Sequence, residues 1–91
     1  MTDQNSDEYE GEVALNDKLK MARQRLREAT RKEFEMLLYE AMLTPLQEEI
    51  LVFHIVKGIG LRQIAERKGY SESGVRKILN QSYEKVAKVC S

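Results

Sequence analysis

LRQIAERKGYSESGVRKIL, residues 61–79, holds two apolar sets, each at helical spacing. Leu61, Ile64 and Ala65 fit one face of a short helix, and Val75, Ile78 and Leu79 fit one face of the next. Between them, Gly69 suits a C′ position that needs positive φ, Tyr70 can plug the corner, and Ser71 is a natural N-cap. A helix, a three-residue turn and a second helix make a helix-turn-helix. The small Ala65 allows the close approach that a steep crossing needs.

Chemistry then falls to the outward face. With Val75, Ile78 and Leu79 turned in, the first two turns of the second helix leave Glu72, Ser73, Arg76, Lys77 and Asn80 outward. Arg and Lys donate to guanine O6 and N7, Asn pairs bidentately with adenine, and Glu accepts from cytosine N4. In a DNA-binding helix-turn-helix, residues 61–68 form the positioning helix, with Arg62 and Gln63 at its start, and the helix from Glu72 enters the major groove. The bland alternative is a solvated face on an ordinary αα-corner. The glycine, alanine and apolar spacings coincide with a basic outer face, which favours DNA.

A chain of 91 residues allows one domain with a modest core, and the single proline leaves long stretches free for helix. No apolar run approaches a membrane span, and the acidic N-terminus lacks the regions of a signal peptide, so a cytoplasmic protein is expected. Cys90 and His54 are the only cysteine and histidine. With no disulfide pair, zinc-ligand cluster, nucleophile–base set or paired carboxylate in view, we expect no enzyme activity, metal or cofactor. Cys90 reads as incidental and His54 as a core-edge residue.

A formal net charge of zero hides an asymmetry. Residues 1–12 carry five acids and no base; setting those five aside leaves ten acids against fifteen bases, so the remainder is about +5. The acidic stretch 1–12 reads as a disordered tail.

Residues 13–42 contain neither Pro nor Gly, so one long helix is expected there, starting near Asn16. Leu15, Leu19, Ala22, Leu26 and Ala29 form a heptad-like stripe, continued less regularly by Phe34, Leu37, Leu38 and Ala41. It can dock on the core of its own chain or pair with a second subunit; both destinations remain open. Lys18, Lys20, Arg23, Arg25, Arg27, Arg31 and Lys32 also lie here, as a solvated surface or as phosphate contacts.

Thr44-Pro45-Leu46-Gln47 marks a new helix: Thr44 caps, Pro45 takes the first helical position and Gln47 completes a capping box. Ile50, Leu51, Phe53, His54 and Val56 run down it, and Gly58 with Gly60 closes it. From Ser71 the last helix continues through Tyr83, Val86 and Val89, and its second half should pack on the first helix or project as a partner surface. The fold expected is all-α, with a long N-terminal helix (13–42) before a three-helix unit (43–91).

From Leu43 to Val86 the chain resembles the fourth conserved region of bacterial sigma factors, the module that reads the upstream promoter element. Leu43, Pro45, Gly58, Ile64, Ala65, Glu66, Gly69, Ser71, Val75 and Arg76 match that pattern, over about half of the chain. The resemblance implies base contacts from Glu72, Ser73, Arg76 and Lys77, and phosphate contacts from Ser71 and around Arg62. Two positions depart from it. Gly60 stands where a Ser or Thr commonly caps the positioning helix, and Gly74 sits in the first turn of the recognition helix, where Gly costs roughly 1 kcal/mol relative to Ala. The region with which sigma factors melt promoters has no counterpart here, so a complete sigma factor is not expected.

The leading expectation is a small transcription regulator, of the kind phages and mobile elements carry, that binds double-stranded DNA as a homodimer through its N-terminal helix. One recognition helix reads only a few base pairs, and two copies remedy that. The alternatives are a DNA-recognition subunit for phage packaging or recombination, and a sigma-like module that binds RNA polymerase or another protein.

Overall fold

Two capping boxes, Thr30 to Glu33 and Thr44 to Gln47, divide the first half of the chain. The computed structural model describes residues 6–90, with side chains from Asp17 onward. Five α-helices run α1 (Ser6–Glu28), α2 (Arg31–Ala41), α3 (Pro45–Leu51), α4 (Leu61–Lys68) and α5 (Glu72–Cys90). A π-helical segment, Val52–Val56, prolongs α3, and the described residues contain no strand. The protein is all-α.

The single helix expected over 13–42 is two helices. Thr30 takes an extended backbone, its hydroxyl accepts the Glu33 N–H at 3.1 Å, and the Glu33 carboxylate accepts the Thr30 N–H at 3.1 Å. This reciprocal box starts α2 afresh after Glu28 without Gly or Pro. Helix α1 also begins at Ser6 rather than near Asn16, so residues 6–12 of the stretch read as a tail are helical. Acidic residues early in a helix are favoured by its dipole. Residues 1–5 of that stretch lie outside the described residues. The Thr44 box is as expected, with 3.0 and 3.2 Å bonds.

Leu19, Ala22 and Leu26 of the α1 stripe are buried in the same cluster as Phe34, Leu37, Leu38 and Ala41 of α2 and the buried residues of α3, α4 and α5. One core therefore spans all five helices, and the stripe docks within its own chain. Leu15 lies among the residues whose side chains are not described. Helix α5 is the hub: α1, α2, α3 and α4 all pack on it, with Val75, Leu79, Ser82, Tyr83 and Val86 buried along its length. Its second half packs on α1, one of the two destinations the sequence left open. Gln47 ties α3 to that second half, since its side-chain oxygen also accepts from Lys85 Nζ at 3.0 Å.

After α3 the wide turn carries the chain outward. Lys57 N–H reaches Val52 O at 3.1 Å and Ile59 N–H reaches Phe53 O at 3.0 Å, while the half-buried His54 holds Ile59 O through Nδ1 at 2.9 Å. Gly58, at φ 70°, supplies the left-handed turn before Gly60 begins α4. Among the described residues no helix is long and apolar enough to cross a membrane.

One buried group is left without a partner: the Tyr83 hydroxyl finds no hydrogen bond among the described residues. Burial raises its pKa above the ordinary 10.0, a shift that Arg23 and Arg27 oppose. Tyr83→Phe removes the orphaned hydroxyl and is expected to raise stability by about 1 kcal/mol, read as a higher urea midpoint at unchanged slope. Because the folded pKa lies above the unfolded one, the wild-type phenol holds its full contribution below about pH 10 and loses it as pH rises past that value. The Phe variant should lack this alkaline loss. A lower midpoint for the variant would show that the hydroxyl has a partner.

Candidate nucleic-acid interface

The turn between α4 and α5 is built from three residues with separate tasks. Gly69 ends α4 at φ 76°, where its N–H and that of Tyr70 both turn back to Ala65 O. A side chain in this left-handed conformation would cost roughly 1–2 kcal/mol. Ser71 caps α5: its hydroxyl accepts the Gly74 N–H at 3.0 Å, and its carbonyl accepts the Val75 N–H at 3.1 Å. Gly74 makes room for this cap, because a Cβ there would sit 3.1 Å from Ser71 Oγ. That local reason for the glycine involves no ligand. Tyr70 does not plug the corner; it is 42% exposed, and the buried Ile64, Ala65 and Val75 close the crossing instead.

The cap aims the start of α5. Val75 and Leu79 point into the core and Ile78 is half-buried, so Glu72, Ser73, Arg76, Lys77 and Asn80 are all exposed. Ser73, Arg76, Lys77 and Asn80 line one shallow concavity with Gln81 and Glu84, two residues the sequence reading did not select. Continuing the same helical stripe one turn further would have found both. Within this row Glu72 and Arg76 form an exposed pair at 3.7 Å, and the hydroxyls of Ser71 and Ser73 lie 3.3 Å apart.

No protein-family model matches the chain, and neither does any curated protein or solved structure. The candidate interface therefore rests on its own geometry.

Arg62 and Gln63 are exposed on the first turn of α4, and among the described residues no side-chain hydrogen bond or ion pair joins either to the α5 row. Gly60 is the N-cap of α4, in extended conformation and with no side-chain cap, so no hydroxyl satisfies the first N–H groups of that helix. At the other end, Lys68 pairs with Glu49 of α3 at 2.8 Å and fixes α4 to the core. Lys57 and Arg67 both stand over the Phe53 ring, at 5.4 and 5.9 Å from its centroid. This basic pair, Arg67 on α4 and Lys57 ahead of it, escaped the sequence reading, because only the Phe53–Lys57 spacing of four is local.

The seven bases read as one helical row belong to two helices. Lys18, Lys20, Arg23, Arg25 and Arg27 are on α1, whereas Arg31 and Lys32 follow the Thr30 break on α2. Arg31 pairs with Glu35 at 3.6 Å. Among the described residues no group of three or more His, Cys, Asp and Glu side chains is placed to hold a metal ion.

Proposed function

We propose that the chain binds double-stranded DNA with sequence specificity, using α4 and α5 as a helix-turn-helix of the sigma-region-four kind. Helix α5 enters the major groove and α4 lies across it on the phosphates. One observation carries the reading: a capped three-residue turn is followed at once by an exposed row of Ser73, Arg76, Lys77 and Asn80, anchored from behind by Val75 and Leu79. That row offers donors suited to guanine and an amide suited to adenine. Arg62 and the open N-terminus of α4 contact phosphate. The role is transcriptional regulation, with two copies bound side by side, since one recognition helix is a narrow reader.

Selection of random duplex DNA on the purified protein tests this. An enriched palindrome or direct repeat is expected, with binding to it that weakens steeply as salt rises. No enrichment at low salt, with the protein shown to be folded, would sink the DNA reading and direct attention to a protein partner such as RNA polymerase.

A further inference from the structure

Helix α2 buries one face and leaves an unusual one in solvent. Phe34, Leu37, Leu38 and Ala41 point into the core. At 100° per residue the opposite side is the row Lys32, Met36, Glu40, with Tyr39 beside it. Met36 is 52% exposed, Tyr39 84% and, just past the helix, Met42 80%. A flexible thioether and an aromatic ring on a solvent face, followed by a second methionine, are typical of residues that become buried in an interface.

The charges on this row name the occupant. Lys32 lies four residues before Met36 and Glu40 four residues after it, so the row is basic at one end and acidic at the other. Neither charge is taken up by an ion pair among the described residues, whereas the neighbouring Arg31 and Glu35 pair with each other. Such a row is complementary to itself when reversed. We propose that α2 is the surface through which two copies of this chain associate, antiparallel about a two-fold axis beside Met36. Met36 then meets Met36 of the second copy, and Lys32 of each copy meets Glu40 of the other. An isologous contact of this kind makes every favourable pair twice.

The patch is small. Stable dimers bury about 800 Å² on each partner, more than three side chains supply. The association is therefore weak in free solution and becomes effective when neighbouring half-sites on one duplex hold two copies together at high local concentration. In this respect the inference deepens the DNA reading and rests on it for its purpose, but the contact itself can be tested without DNA.

The test is disulfide trapping of the full chain in a glutathione redox buffer, with the exposed Cys90 replaced (Cys90→Ser). Met36→Cys places facing thiols within bridging distance across the axis. Met21→Cys, at a position 71% exposed on α1, is the control for random collision. Covalent dimer should form about tenfold more readily through position 36 than through position 21. Adding Lys32→Glu should lower that yield about tenfold, because it converts both charge pairs to repulsions, and adding Glu40→Lys as well should restore it. All of these positions are exposed, so the variants keep the core intact. Equal trapping at positions 21 and 36, or a yield at 36 indifferent to the charge changes, would overturn the proposal. Trapping without any DNA selection would leave this contact standing while the DNA reading fell; DNA selection without trapping would do the reverse.

Discussion

Leu26→Ala is expected to destabilise the protein by about 2–5 kcal/mol, the range for a large aliphatic side chain removed from a packed core. Leu26 is 2% exposed and belongs to the same buried cluster as Ile50, Ile64 and Val86. Total stabilities of small domains are about 5–15 kcal/mol, so the loss is a large share of what is available. Urea unfolding should show a lower midpoint at unchanged slope, independent of protein concentration. The last point matters. If the N-terminal stripe served a second subunit instead, the same substitution would act on association and leave the unfolding of the single chain nearly untouched. A change below about 0.5 kcal/mol, the level of an ordinary surface substitution, would mean that α1 is not part of the core.

Arg76→Ala is expected to cost about 1–3 kcal/mol on the selected DNA site and to relax the preference at one base position. That corresponds to a loss in affinity of roughly 5- to 150-fold. The side chain is half-exposed and leans on Glu72 at 3.7 Å, one helical turn earlier. An exposed pair of this kind contributes little to stability, so the variant should unfold as the wild type does. The proposed groove contact requires the guanidinium to leave Glu72 for the guanine edge. Arg62→Ala, by contrast, should weaken all sequences alike, as loss of a phosphate contact does. Unchanged binding of the selected site by Arg76→Ala would show that this face of α5 does not read bases.

The second half of the chain was largely legible because its punctuation is local. Gly69, Ser71 and the Thr44 box each act within four residues, and each stands where the spacing of residue types places it. The outer row of α5 followed from the same periodicity that buried Val75 and Leu79. The first half was less legible for a related reason. Thr30 and Glu33 spell the same box as Thr44 and Gln47, but without a proline to draw attention, and a stretch free of Gly and Pro read as unbroken. Contacts made at long range were out of reach. Nothing local says that Lys85 would reach Gln47, that Arg67 would stand over Phe53, or that the Tyr83 hydroxyl would end without a partner. The destination of the α1 stripe was open for the same cause: an apolar seam looks alike whether its partner is in the same chain or another.

Helix α5 serves as both hub of the core and bearer of the outward row, and this bears on how a protein built this way could change the target proposed for it. The two tasks are interleaved along one helix, never on the same residue: positions 75, 79, 83 and 86 are buried in the core, while 73, 76, 77 and 80 are exposed and make only surface contacts, Ser73 with the Ser71 hydroxyl and Arg76 with Glu72. Substitutions on the outer row should therefore have stability effects usually within about 0.5 kcal/mol. Under the proposed DNA reading, specificity in this scaffold is free to drift while the architecture stands still.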